Sequence, residues 1–299
     1  MTPPEGREAG ADRPFVSVII PHYNDLAGLG LCLPALAAQT WPRDRFEIVI
    51  ADNNSRCGIE AVRAAAPGCR VVPAPIQGAG PARNAAAAAA KGEILAFTDS
   101  DCVPGPRWIE EGVAALGRFD FVGGQVVTTA RDPARPSPVE AFEIVFNFDF
   151  RRYIEELGFT GTGNMFVPRP VFDRVGPFRT TVSEDMDWSF RARDAGFRIG
   201  YAPAAIVAHP ARRDWDELRR RWARLVREHT AMARASRGRM IRHLLKALAM
   251  PLSVGPHAWR VLRSPRLPDL RSRIGAIGIL ARLRCWRMAE TVRVVLRGR

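Results

Sequence analysis

The sequence predicts an α/β protein, with a Rossmann-like, mostly parallel sheet flanked by helices and a basic α-helical extension at the C-terminal end. Short β-rich apolar runs alternate with helical periodicity over the first 117 residues, a rhythm that implies βαβ crossovers. Three of those runs end in polar clusters, at Tyr23 to Asp25, Asp52 to Ser55 and Asp99 to Asp101, where open α/β sheets place their ligands. Charge divides the chain in two. Residues 1–209 hold 21 Lys and Arg against 25 Asp and Glu, a net −4, whereas residues 210–299 hold 23 against 6, a net +17. Such asymmetry points to a phosphate-rich partner surface, a membrane or a nucleic acid.

Residues 1–14 are polar, carry Pro, Gly and charge, and read as a disordered lead-in without a secretory signal. Phe15 to Ile20 is the first strand, broken by Pro21, and Leu at 26, 29, 33 and 36 gives the helix that follows. Phe46 to Ala51 is a second strand, Ile59 to Ala66 a helix, and Arg70 to Pro73 a short third strand. Gly78-Ala-Gly-Pro opens an alanine-rich helix running to Lys91. Ile94 to Thr98 is a buried central strand, and a helix follows from about Pro106 to Leu116.

After residue 117 the rhythm changes. Phe121 to Thr128 is a strand with a Gly pair, 133–138 a loop, and Val139 to Glu156 an amphipathic, aromatic-rich segment. Thr160 to Val167 is a glycine-bearing strand, and Pro170 to Val175 a helical turn. Ser183 to Arg193 is a helix that Ser183 can cap, with acidic residues filling its first turn. Arg198 to Ala202 and Ala205 to His209 read as two short strands. The domain expected over 15–210 thus has a first half of about 15–117 and a second of about 118–210, before a helical tail over 211–299.

Composition excludes little else. A hydrophobic content of 47% at 299 residues supports a large core. Five scattered cysteines, without metal-ligand spacing, argue for a reducing compartment and against a disulfide framework.

Asp99 and Asp101 follow the central strand one residue apart. Extended backbone would put both carboxylates on one side, as two hard ligands for a divalent cation that keeps positions open for phosphate oxygens. The other reading is a polar turn and helix cap before Pro104. Asp52 ends its strand with an unpaired carboxylate able to accept from a base N–H, or else caps a turn. Arg83 follows a Gly-Ala-Gly-Pro turn, where an Arg and a helix N-terminus can both face phosphate, or else lies in a surface ion pair.

Six stretches taken together resemble the family 2 glycosyltransferases of the GT-A type. They are Val18-Ile-Ile-Pro-His-Tyr-Asn24, Ile48-Val-Ile-Ala-Asp52, Gly78 to Asn84, Thr98-Asp-Ser-Asp101, Gly161-Thr-Gly-Asn164 and Glu184-Asp185, in family order over about two thirds of the chain. The resemblance implies a nucleotide-diphospho-sugar donor, with UDP as the family prior, a Mg²⁺ or Mn²⁺ ion, and inversion at the sugar's anomeric carbon. It places Pro21 and Tyr23 around the base and ribose, and Asp99 at the ribose or the metal's water shell. Asp101 becomes the direct metal ligand, and Gly161, Gly163 and Asn164 the backbone floor under the donor sugar. Asp185 becomes the general base, with Glu184 and Asp187 as neighbouring alternatives. Its helix-start position would lower its pKa, so basicity requires burial. Trp188 fits core packing better than an acceptor platform. Many relatives carry a further acidic residue where this chain has Cys102, a poor ligand for a hard cation; His209 is the candidate replacement.

The tail carries Arg219-Arg-Arg-Trp222, which resembles the Gln-x-x-Arg-Trp of processive sugar synthases, but position 218 is Leu. Its longest uncharged run, Ala247 to Trp259, is 13 residues with two prolines, too short to span a bilayer. Apolar residues mixed with Arg favour a tail lying on the anionic inner face of the cell membrane, over a helical appendage packed on the catalytic domain. The whole then reads as a membrane-peripheral glycosyltransferase of polysaccharide biosynthesis, acting on a glycan or lipid-linked acceptor. Alternatives are a catalytically silent sugar-nucleotide binder and a nucleic-acid-binding protein; the tail lacks the aromatic interleaving, zinc spacing or RNA-binding fingerprint of the latter.

Overall fold

A computed structural model of the chain describes residues 13–180 and 183–297. Most of the lead-in expected over 1–14 lies outside the described residues. Two compact units emerge, one of Met1–Val126 and Asp149–Ala208, the other of Val127–Phe148 and His209–Arg299.

The first unit is built on the expected alternation. In order come β1 (Val16–His22), α1 (Leu26–Ala37), β2 (Phe46–Asp52), α2 (Ile59–Ala65), β3 (Arg70–Pro73), α3 (Ala79–Ala89) and β4 (Ile94–Thr98). Then follow β5 (Val103–Pro104), α4 (Trp108–Leu116) and β6 (Phe121–Thr129), the last running past Val126. After the segment that belongs to the second unit come α6 (Phe150–Arg152) with a π turn over Tyr153–Leu157, β7 (Asn164–Pro168), α7 (Arg169–Val175), α8 (Glu184–Asp194) and β8 (Ile199–Pro210), whose last two residues belong to the second unit. The strands form one sheet in the order β3-β2-β1-β4-β7-β6-β8-β5. The β3-β2-β1-β4 half is parallel, while β7 pairs antiparallel with β4 and β6, and β5 with β8.

Alternation along the central strands feeds two cores, one per sheet face. Val16, Val18 and Ile20 of β1, with Ile48 and Ile50 of β2, join Leu29 and Leu36 of α1, Val62 of α2 and Trp108 of α4. Ile19, Val49, Ala51, Leu95 and Phe97 join Ala82, Ala86 and Ala87 of α3, Phe172 of α7 and Trp188 of α8. Alanine lets α3 lie close on the sheet. At its far end a Cβ on Gly92 would stand 2.4 Å from the Ser17 backbone nitrogen, so only glycine fits where the chain enters β4.

Three expectations are corrected here. The two strands expected over 198–202 and 205–209 are one strand, β8, which continues through the exposed Pro203. Ser183 makes no side-chain cap of α8. The segment 127–148, expected in the second half of the 15–210 domain, groups instead with the tail helices.

That second unit contains α5 (Pro138–Phe146), α9 (Trp215–Ala233), α10 (Arg237–Ala249), a 3-10 turn (Pro251–Ser253), α11 (Val254–Leu262) and α12 (Leu270–Leu296). A Ser137–Glu140 capping box starts α5. Val139, Phe142 and Val145 then pack with Leu218, Val261, Ala276, Leu280 and Leu283. Leu218 is fully buried, so position 218 is a core position, not a polar motif residue. Glu143, 1% exposed, accepts from Arg212 at 2.7 Å and Arg221 at 3.4 Å. Among the described residues, no helix is long and apolar enough to cross a membrane.

Candidate active site

The carboxyl ends of β1, β2 and β4 hold a continuous polar network. His22 and Asp52 are register partners on adjacent parallel strands, and His22 Nδ1 lies 3.1 Å from Asp52 Oδ1. The Asp25 amide donates to His22 Nε2 at 3.3 Å, so this pattern assigns the ring proton to Nδ1 and the donor role to His22. Asp52 Oδ2 accepts the Ser55 amide at 3.3 Å. The carboxylate expected to be unpaired is therefore engaged on both oxygens, because burial at 4% exposure demands partners. Asn24 and Asn54 adopt left-handed backbone at φ 54° and 63°. Asn24 turns its side chain to accept the Arg56 amide at 2.7 Å.

Asn53 organises the next loop. Its Nδ2 donates to the Ala74 and Ile76 carbonyls at 2.7 Å each, and its Oδ1 accepts the Gly78 amide at 2.7 Å. That pins the turn from which α3 starts. Sequence reasoning missed His22 and Asn53: one follows Pro21 and reads as turn, the other sits in a run of Asx residues. The only legible signal was their place at strand ends. Pro21 lies within β1, and Tyr23, just beyond it, is 49% exposed and open to a planar ligand.

Arg83 binds the acidic elements together. Buried at 5% exposure, it donates to Asp99 Oδ1 at 2.7 Å and to Glu184 Oε1 at 3.0 Å, with Asp185 Oδ1 at 3.8 Å. Burial alone would lower its pKa, but Asp99, Asp185 and Glu184 outweigh burial and raise it, so the guanidinium is a fixed positive charge. The Asp99 end of β4 and the start of α8 thus meet on one α3 side chain, where the sequence suggested a surface ion pair as the alternative.

Asp185 is held by the Thr162 hydroxyl at 2.8 Å. Its pKa is pushed up to about 6: burial is the main cause, Arg83 and Thr162 oppose it, and Glu184 and Asp99 add to it. Desolvation overrides the lowering expected from a helix start. Asp187 faces elsewhere, paired with Arg191 at 2.8 Å. Trp188 is fully buried, edge-on to Phe121 and stacked on Phe172, so it is core.

The glycine stretch before β7 runs beside these groups. A Cβ on Gly163 would stand 3.1 Å from Asp99 Oδ2, and Thr98 donates to the Gly163 carbonyl at 3.2 Å. Gly161 lies close to Phe150. The Asn164 side chain turns inward instead: Oδ1 accepts from the Trp108 indole at 2.9 Å, and Nδ2 donates to the Gln125 and Ala205 carbonyls. Only its backbone is left to form a floor.

Asp99, Asp101 and Cys102 bring ligand atoms within 4.8 Å of one another. The two aspartates do so across a turn, not along an extended strand, since the Cys102 amide bonds the Asp99 carbonyl at 3.1 Å and β4 ends at Thr98. Cys102 is 1% exposed within the apolar core. Burial first, then Asp99 and Asp101, raise its thiol pKa well above normal. A soft thiol buried in the apolar core is a poor ligand for a hard cation, so the donor set is two carboxylates, which suits Mg²⁺ or Mn²⁺ with positions left for other oxygens. His209 belongs to the second unit, where its ring packs on Phe148 at 4.9 Å and its Nδ1 lies 2.8 Å from the Pro210 carbonyl oxygen.

Residues 17–180 match the family model for glycosyl transferase family 2. This chain is a family 2 glycosyltransferase. Glycosyltransferase AglE of Haloferax volcanii is 35% identical over 208 residues, 67% of this chain and 68% of its own. The pre-mycofactocin glycosyltransferase of Mycobacterium tuberculosis is 26% identical over 69% of this chain, which spans 46% of that relative's length. Among solved structures, the mannosyltransferase PcManGT from Pyrobaculum calidifontis, in complex with GDP-Man and Mn²⁺, superposes with a TM-score of 0.57 at 23% identity, over 96% of this glycosyltransferase and 87% of that chain. S. aureus TarS 1-349 with UDP-GlcNAc gives 0.51 at 18% identity, over 94% and 89%. The sheet and its helices are thus a GT-A fold.

Proposed function

We propose that this glycosyltransferase moves a sugar, with inversion, from a nucleotide-diphosphate donor to a glycan or lipid-linked acceptor, and that Asp185 is the general base. One observation supports this reading above others: a buried arginine holds Asp99 at the end of β4 beside Glu184 and Asp185 at the start of α8. Asp185, with its pKa near 6, is ionised at neutral pH yet basic enough to take a proton from an attacking hydroxyl. Thr162 and Arg83 aim it. Glu184, bonded to Arg83, positions that guanidinium and stands second in line as base.

Tyr23 and Pro21 flank the base and ribose, with Asp52 and Asp99 reading the nucleoside. Arg83 and the α3 start, pinned by Asn53, face the diphosphate, and the backbone of Gly161, Gly163 and Asn164 supports the sugar. Asp101, with Asp99 beside it, holds Mg²⁺ or Mn²⁺, and the bound ion supplies charge neutralisation for the departing diphosphate. UDP is the first donor nucleotide to try, since the TarS neighbour binds UDP-GlcNAc; the PcManGT neighbour binds GDP-Man, which makes GDP the second. His209 is kept as a further ligand candidate on the family resemblance alone. The basic second unit is proposed to lie on an anionic membrane surface.

Release of nucleoside diphosphate from a donor panel, with and without Mn²⁺, tests the reading. Turnover is expected only with metal and is lost in Asp101→Ala. Equal turnover in that variant, or under chelation, contradicts it. Donor binding without any turnover would assign the chain to sugar-nucleotide binding instead.

A further inference from the structure

One helix of the second unit presents an apolar row to the outside. α10 packs on α9 and α12 and buries Ala247 completely. Yet Ile241, Leu245 and Leu248 recur at helical spacing on another side, and Leu252 in the following 3-10 turn extends the row. Their exposures are 59%, 60%, 53% and 82%. At helical pitch the three on α10 fall within an arc of about 60°, centred roughly 130° from Ala247. Four large aliphatics in one row are a patch, unlike scattered surface leucines.

Charge names the occupant. Between Glu228 and Asp269 the chain has no carboxylate and eight Lys or Arg. Arg237, Arg239, Arg242 and Lys246 lie on α10 itself, all exposed. A nucleic acid would satisfy the cations and leave the aliphatic row in water. An apolar protein groove would cover the row and leave the cations without counter-charge. An anionic bilayer surface meets both needs, taking aliphatic side chains at the acyl boundary and guanidinium and ammonium groups on lipid phosphates.

We propose that the outer face of α10 and the turn after it, Ile241, Leu245, Leu248 and Leu252 flanked by Arg242 and Lys246, is the surface by which this chain docks on an anionic lipid bilayer. This rests on the membrane-surface reading of the basic unit and narrows it to one helix face. The contact is interfacial, since no described helix is long and apolar enough to cross.

Vesicle co-sedimentation of the full chain tests it, with phosphatidylcholine alone and with added phosphatidylglycerol. Wild type is expected to sediment with the anionic vesicles and far less with the neutral ones. Leu245→Asp combined with Leu252→Asp should weaken that binding about tenfold or more, without lowering the thermal midpoint, because both side chains are exposed. Arg242→Ala with Lys246→Ala should weaken it and flatten its dependence on salt. If the leucine variant binds as wild type does, the docking face lies elsewhere and this proposal falls, while the membrane reading stands. Wild type that ignores anionic vesicles sinks both. A dimer in gel filtration that the leucine variant disperses would assign the row to a second copy and overturn the bilayer.

Discussion

Asp185 sits between opposing influences, and its chemistry follows from their balance. Burial disfavours the carboxylate, while Arg83 and the Thr162 hydroxyl favour it, leaving a pKa of about 6. A base must be ionised to act. The rate of transfer should therefore fall about tenfold per pH unit below pH 6 and level off above it, which a pH–rate profile measures. Removing Arg83 takes away the main group that lowers this pKa, so in Arg83→Met the acid limb should move to higher pH; a limb that stays in place means Asp185 is not the group titrating. The same shift speaks to stability. A carboxyl with a raised folded-state pKa stabilises the fold when protonated, and that contribution is lost as pH rises through about 6. At pH 7 the ionised group is a cost, so Asp185→Asn should melt no lower than wild type in a thermal scan while losing activity.

At the scale of elements, two small features decide where the site groups stand. Asn164 ties β7 to α4, β6 and β8 through the Trp108 indole and the Gln125 and Ala205 carbonyls. Asn164→Leu would leave those buried groups unmatched and should destabilise the first unit by about 3 kcal/mol, read from denaturant unfolding. Gly92→Ala drives a Cβ against the Ser17 amide at the start of β4 and should cost at least about 1–3 kcal/mol. Much of this level was legible. The parallel strands β1, β2 and β4 are covered on both faces, so they appear in the sequence as largely apolar runs, and the expected bounds agree within two residues. What stayed hidden was long-range. Nothing local to His22 says that Asp52, thirty residues on, is its register partner. Nor does anything in 127–148 announce that Val139 and Phe142 pack against Leu218 and Leu280. In the opposite direction, two short runs around Pro203 are a single strand that tolerates the proline.

Over the whole molecule, the charge divides along the chain, a net −4 over residues 1–209 and +17 over 210–299. Asp52, Asp99, Asp101, Glu184 and Asp185 all lie in the first unit, and the Arg-rich helices fill the other. Roles for the acidic residues are suggested in the sequence only by six short motifs in family order; their partnership through Arg83 is not legible there, since it joins residues 16 and 101 positions apart. A bound donor should stabilise the fold by mass action, about 2.7 kcal/mol at a hundredfold excess over Kd, and only when Mn²⁺ or Mg²⁺ is present; a thermal shift that ignores metal would contradict the two-carboxylate site. Asp185 is proposed to do the proton transfer, and one comparison addresses it. Nucleoside diphosphate release by Asp185→Asn should fall about 10²–10⁴-fold while donor binding, followed by calorimetry, stays at the wild-type value. Release within tenfold of wild type would contradict that role and move the base to another carboxylate, with Glu184 first to be tried.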